Sequence, residues 1–102
     1  MAKFELPIYD IKTGDVVKTV TRNFMPVNLY IRFQKLAEKV GADKVKSDEE
    51  MFIALEDLFL ETFPDLTKDE YQKQTDIAQV LQTWGKIINK STEISDGDSK
   101  NG

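Results

Sequence analysis

The sequence predicts a small α+β domain that is mainly helical, with an N-terminal β-hairpin packed on three to four helices and a disordered C-terminal tail. Three observations support this class. Apolar residues alternate near the N-terminus, later segments show helical periodicity between capping residues, and residues 91–102 contain a single apolar side chain. We therefore expect one domain over residues 1–90 and a disordered acidic tail over residues 91–102.

The hairpin is predicted from two β-type segments, residues 4–11 and 15–22, on either side of a short polar turn. Gly14 in this turn can adopt the positive φ that a tight turn requires. Because an isolated hairpin is marginally stable in water, this one must pack on the helices or pair with another chain. In the first segment, one side of the period-two pattern is formed by Phe4, Leu6 and Ile8.

The first helix is predicted to start at Met25-Pro26, since proline suits the first turn of a helix. Gly41 stands where a C-terminal capping glycine is expected. Between these two positions the apolar residues recur at helical spacing and form one continuous stripe. Its members are Leu29, Tyr30, Phe33, Leu36, Ala37 and Val40.

The second helix is predicted to begin at a capping box, in which the Ser47 hydroxyl accepts from the Glu50 amide and Glu50 reaches back. Pro64 ends it, because the residue before a proline is disfavoured in helical geometry. One broad face of this helix is apolar. It comprises Met51, Phe52, Leu55, Leu58, Phe59 and Phe63.

A second capping box, from Thr67 to Glu70, opens a short helix that extends to about Gln74. Thr75-Asp76 offers a further N-terminal signal, but the sequence leaves open whether the short helix and the last one are continuous. The last helix carries a clean apolar stripe. That stripe is formed by Ile77, Val80, Leu81, Trp84 and Ile88.

Composition argues against catalysis. The 102 residues include no histidine and no cysteine, which removes the usual proton relays, thiol nucleophiles and transition-metal ligands. The acidic pairs at residues 48–50 and 69–70 are explained by helix N-termini, where they complement the helix dipole. We therefore expect no enzyme activity, no cofactor and no metal site.

Net charge and hydropathy limit the classes of partner that we expect. A formal net charge of −4 argues against nucleic acid, whose binding proteins usually carry a basic surface. No segment approaches the roughly 20 apolar residues that cross a bilayer, and the N-terminus lacks the apolar core of a signal peptide. These observations favour a protein partner and exclude nucleic acid and membrane as expected partners.

Apolar residues outside the main stripes are the candidates for binding. Ile31 on the first helix, and Ile53 and Leu60 on the second, lie away from the predicted core faces. A helix with two apolar faces is either central in its domain or contributes one face to a partner, and both interpretations stay open. Trp84 is interpreted first as a core residue, with a partner anchor as the alternative. The candidate partner-binding residues are thus Ile31, Ile53, Leu60 and Trp84.

The order of these elements resembles the tail assembly chaperones of long-tailed bacteriophages, especially the type found in phages of Gram-positive hosts. The likeness covers roughly residues 4–90. It begins with the hairpin Phe4-Glu5-Leu6-Pro7-Ile8-Tyr9-Asp10 and Thr13-Gly14-Asp15, followed by a proline that leads into an amphipathic helix. It continues through Phe59-Leu60-Glu61-Thr62-Phe63 and Leu66-Thr67-Lys68-Asp69-Glu70-Tyr71 to a final helix and a polar tail.

This resemblance implies a chaperone that transiently binds the tape measure protein, keeps it soluble and helps recruit tail-tube (major tail) subunits. It also implies action in the host cell cytoplasm and absence from the mature virion. A second copy of the chain is a further candidate partner. Two alternatives remain open: a structural tail-completion or connector protein, which retention in purified virions would favour, and a small regulatory protein-binding domain.

Overall fold

The computed structural model describes residues 4–89, which form a two-stranded hairpin followed by four helices. This confirms the predicted α+β class. The predicted tail, residues 91–102, lies outside the described residues. The strands are β1 (Phe4–Tyr9) and β2 (Val16–Arg22), and the helices are α1 (Val27–Gly41), α2 (Asp48–Thr62), α3 (Lys68–Lys73) and α4 (Ile77–Ile88).

The hairpin is antiparallel, with Leu6 opposite Val20 and an irregularity in the pairing next to Tyr9. Its turn is held by Asp10, whose carboxylate accepts from the backbone amide of Lys12 at 2.8 Å. Gly14 has a φ of 78°, which confirms the predicted need for glycine at this position. Turn chemistry and side-chain alternation therefore fix the register together.

The core lies between β1 and the helices, and Phe59 of α2 is at its centre. The Phe59 ring makes edge-on contacts with three other rings. These are Phe33 of α1, Phe63 directly after α2, and Tyr71 of α3, at centroid distances of 5.7, 6.0 and 5.9 Å. Such contacts add to the burial of apolar area. One aromatic cluster thus joins three of the helices.

The outer edge of β1 is covered by the segment that joins α3 to α4. The Tyr9 amide donates to the Gln74 carbonyl at 2.8 Å, and Gln74 Nε2 donates to the Tyr9 carbonyl at 3.0 Å. Farther along, Thr83 Oγ1 of α4 donates to the Glu5 carbonyl at 3.2 Å. These bonds satisfy backbone groups that an edge strand would otherwise leave open.

Two basic side chains tie β2 to the helical layer. Lys18 Nζ lies 3.1 Å from Glu70 Oε2 and donates to the Asp65 carbonyl at 2.8 Å. Arg22 donates to the Thr62 carbonyl at 3.0 Å. Within residues 4–89, β2 pairs with β1 alone. The hairpin therefore packs on the helices through both strands, as its marginal stability in isolation requires.

Two helix boundaries differ from the sequence prediction. Pro26 precedes α1 as its N-cap rather than lying in its first turn, and Gly41 is the last helical residue rather than the cap beyond it. The left-handed conformation is taken by Asp43, at a φ of 61°. Aspartate tolerates the left-handed region better than most non-glycine residues do. The left-handed residue after α1 therefore lies two positions downstream of Gly41, where it was expected.

Helices α3 and α4 are separate, because Asp76 caps α4 by accepting from the amides of Ala78 and Gln79. The predicted stripe of α4 is partly wrong, since Ile77 and Leu81 are exposed. The buried face is rotated toward Thr83 and Ile87, which meet β1 and the core. The longest helices of residues 4–89 have fifteen residues, and none combines the length and apolar character needed to cross a bilayer.

Candidate protein-binding groove

An open groove of about 430 Å³ lies between α2 on one side and α3 with the start of α4 on the other. Its apolar residues come from all three helices, and both of its charged residues are glutamates. An open apolar groove of this kind can receive a side chain or a helix of a partner protein. The lining comprises Glu49, Phe52, Ile53, Glu56, Tyr71, Gln72, Thr75, Ile77 and Val80.

The α2 wall of the groove exists because this helix is apolar on more than one side. Leu55 and Phe59 are fully buried, whereas Ile53 is 57% exposed. Phe52 lies between these faces, half-buried against the core. An exposed isoleucine beside a half-buried phenylalanine leaves apolar area in contact with water, and a partner can cover that area.

The opposite wall is held in place by Tyr71 of α3, whose hydroxyl donates to the Phe52 carbonyl at 2.9 Å. Burial, together with the negative charge of Glu56, raises the pKa of Tyr71 above its ordinary value. The phenol therefore stays protonated, and it remains a donor, throughout the physiological range. This bond links the α3 wall of the groove to its α2 wall.

Ile77 completes that wall and is 61% exposed. It is the first residue of α4, directly after the Asp76 cap. Helical side chains lean toward the N-terminus of their helix, so a residue at the first position has no preceding turn to cover. Ile77 is left beside the groove for this reason, although its spacing matched the core stripe.

Glu56 is a carboxylate in the groove wall that is only 6% exposed. Its Oε2 accepts from Gln72 Nε2 at 2.7 Å. Its Oε1 lies 4.0 Å from Lys68 Nζ, which is the limit of an ion pair, and the Lys68 side chain is 70% exposed. The charge of Glu56 is thus held by one good hydrogen bond and one loose cation contact.

The structure separates the three surface candidates predicted from the sequence. Ile53 lines the groove. Leu60, two turns farther along α2, is half-buried against the core. Ile31 is 44% exposed on α1 and is not part of the groove lining. The groove therefore contains Ile53 without Ile31 or Leu60.

Trp84 is in the core. It is 8% exposed, and its Nε1 donates to the Phe33 carbonyl at 3.3 Å. The hydrogen bond satisfies the indole donor inside the protein and links α4 to α1. Of the two interpretations made from the sequence, the structure favours the core residue over the partner anchor.

Sequence reasoning missed Ile77, Glu49 and Glu56 as groove residues. A usable signal for Ile77 was its position immediately after a capping aspartate. For the glutamates the signal was their spacing, since residues 49, 52, 53 and 56 recur at three- and four-residue intervals on one side of a helix. The acidic run at the start of α2 was explained by the helix dipole alone.

The ionisable side chains that line the groove are Glu49, Glu56 and Tyr71. Among residues 4–89, no three carboxylates converge into a site that could hold a metal ion. A second depression, beside β1 and α4, differs in chemistry because polar side chains dominate it. That depression is lined by Glu5, Pro7, Thr19, Gln79, Gln82, Thr83 and Lys86.

Comparison with known proteins gave one family. A family model described as "Phage tail chaperone protein" matches residues 1–102. The curated proteins and the solved structures gave no significant match to the chain.

Proposed function

The chain belongs to the phage tail chaperone protein family, and from this membership we propose that it binds the tape measure protein transiently during tail assembly. In this proposal it keeps the tape measure protein soluble in the host cell cytoplasm and helps bring tail-tube subunits to it. It then leaves and is absent from the mature virion. It acts by binding alone.

The observation that carries the proposal is the apolar groove between α2 and the α3–α4 segment. Ile53 and Ile77 are 57% and 61% exposed on its two sides, so a partner side chain placed between them removes apolar area from water on both. Full burial of one aliphatic side chain is worth about 1.5–3 kcal/mol. A few such contacts, set against the entropy lost on association, give the modest affinity that reversible binding requires.

A helix is the client element that fits this groove. The lining residues of α2 lie on one side of that helix over two turns, from Glu49 to Glu56. A second helix laid alongside would present its own residues at three- and four-residue spacing to the same surface. An isolated helix with an apolar side exposes it to water, and covering that side is what a solubilising chaperone must do.

The net charge of the chain supports the proposed role in keeping the client soluble. The chain has a formal net charge of −4, and like charge on many copies bound to one client opposes association between complexes. Recruitment of the tail-tube protein is proposed from the family, and no side chain is assigned to it.

Co-expression with tiled fragments of the tape measure protein tests this function. We expect at least one fragment to move from the pellet to the soluble fraction in the presence of the chain. The double variant Ile53→Ser, Ile77→Ser should lose this effect while it retains its own melting temperature, because both residues are largely exposed.

Ile31→Ser is the matched control, because it makes the same chemical change at an exposed isoleucine outside the groove. It should solubilise the fragments as the wild type does. Loss of solubilisation in the control, with the double variant unaffected, would move the client site to α1. Failure of the wild type with every fragment would contradict the tape measure protein as client.

A further inference from the structure

We propose that the groove selects client helices that carry a basic residue on each side of an apolar pair, two helical turns apart. This inference rests on the proposed client-binding function and adds a charge requirement to it. The client pattern is a basic residue at position i, apolar residues at i+3 and i+4, and a second basic residue at i+7.

The pattern follows from the order of residues along α2. Glu49 and Glu56 both line the groove, with Phe52 and Ile53 between them. Seven residues correspond to about 10 Å along a helix and to nearly two full turns, so both carboxylates lie on the same side. The α2 wall is therefore acidic, apolar and acidic in turn.

Glu56 makes this wall selective. It is 6% exposed, and its good partner is a neutral amide, Gln72, at 2.7 Å. Lys68 stands 4.0 Å away on a side chain that is 70% exposed. When a client helix covers the groove, the carboxylate loses its remaining water, and an unpaired charge in such a place is costly. A client lysine or arginine removes that cost, whereas a client glutamate increases it.

Glu49 extends the same preference to the other end of the groove. It is exposed in the first turn of α2. The lining of the groove contains no lysine or arginine, so both of its charges are negative. A rim carboxylate contributes less than a buried one, and salt screens it more. Glu49 should therefore contribute to the orientation of the client helix and to its rate of association. Glu56 should contribute to the discrimination between basic and acidic clients.

The pattern has no fixed direction. Positions i, i+3, i+4 and i+7 read the same from either end, so a client helix can lie parallel or antiparallel to α2. Eight residues suffice to present all four side chains, and they extend about 12 Å. A long helical client can therefore offer several such sites, each recognised by one copy of the chain.

Two synthetic helical peptides test the proposal on the full-length chain. They share the same leucine pair at i+3 and i+4 and differ at i and i+7, where one has lysine and the other glutamate. Fluorescence anisotropy measures their affinities at low and high salt. We expect the lysine peptide to bind about tenfold more tightly at low salt, and this ratio to fall as salt screens the charges.

Equal affinity of the two peptides would overturn the charge requirement while the apolar groove stands. Binding of neither peptide would overturn the groove as a helix site, whereas the proposed function is contradicted separately, by failure of the wild type to solubilise any tape measure fragment. The variant Ile53→Ser should weaken both peptides alike, which separates the apolar contribution from the charged one.

The variants Glu56→Gln and Glu49→Gln locate the effect. Glutamine at position 56 retains an oxygen to accept from Gln72 Nε2, so the fold should be kept, as a thermal melt will verify. Each variant should bind the lysine peptide more weakly than the wild type does. We expect the larger loss of affinity, about fivefold, in Glu56→Gln.

Glu50→Gln is the matched control, because Glu50 is exposed in the same first turn and is not part of the groove lining. It should leave the affinity for the lysine peptide unchanged. An equal loss in Glu50→Gln would show a general effect of net charge and would overturn the assignment to Glu49 and Glu56.

Discussion

At the scale of single residues, neighbours on α2 have opposite environments. Leu55 is fully buried, while Ile53 is 57% exposed on the groove side. The sequence identified Ile53 as lying off the core stripe, but it grouped Ile53 with Leu60, which is half-buried against the core. Periodicity gives the side of a helix, whereas exposure also depends on which elements pack beside it.

This contrast predicts two different outcomes from substitutions on the same helix. Leu55→Ala should lower the free energy of unfolding by about 2–5 kcal/mol, because it leaves a cavity in the core. Ile53→Ser should change it by less than about 0.5 kcal/mol, as surface substitutions usually do. Urea unfolding measures both. A loss in Ile53→Ser as large as that in Leu55→Ala would show that Ile53 is a core residue.

At the scale of the elements, the N-caps at Ser47, Thr67 and Asp76 were predicted correctly, whereas the helix boundaries inferred from Pro26 and Gly41 were not. The Thr67–Glu70 capping box is fully formed, and the Ser47 hydroxyl accepts from the Glu50 amide as predicted, although the reciprocal bond, in which the Ser47 amide would donate to the Glu50 carboxylate, is not formed. These motifs depend on residues within one turn, so the sequence contains all that determines them.

The α4 stripe was less predictable, because its burial depends on contacts with distant elements. Thr83 is buried through its hydrogen bond to the Glu5 carbonyl, 78 residues away. No local pattern marks a threonine as a core residue, and an apolar count assigns the stripe to Ile77 and Leu81 instead. The groove could not be predicted from the sequence for the same reason, since it forms where α2, α3 and α4 come together.

The attachment of β2 to α3 predicts a dependence of stability on pH. The Thr67 amide donates to the Glu70 carboxylate at 2.9 Å, and Lys18 Nζ lies 3.1 Å away. The backbone bond from Thr67, together with Lys18, lowers the pKa of Glu70 below its ordinary value of 4.5. Because the folded-state pKa is depressed, the stabilisation is fully present above pH 4.5 and is lost as the pH falls through the folded-state value.

The variant Glu70→Gln isolates this contribution. It should be less stable than the wild type at pH 7, and the difference should shrink in acid as the wild-type carboxylate is protonated. Denaturant unfolding at pH 7 and at successively lower pH gives the two stabilities. A difference that is constant over this range would show that the charge of Glu70 contributes nothing.

At the scale of the whole molecule, the fold brings the two ends of its described region together and forms the apolar groove on the helical side. β1 bonds to the α3–α4 junction and to α4 itself, so the N-terminal hairpin and the last helix form one unit. This arrangement holds α4 in place, and with it Ile77 at the groove. The hairpin therefore supports the proposed binding surface without being part of it.

Client binding in the groove is tested most directly by site-specific photo-crosslinking during co-expression with the tape measure protein. A photoreactive phenylalanine analogue is placed at position 53 in the groove or at position 31 on α1, both of which are exposed. Crosslinked bands are then identified by mass spectrometry. We expect a crosslink to the tape measure protein from position 53 and none from position 31. A crosslink from position 31 alone, or from neither position while the client stays soluble, would contradict client binding in the groove.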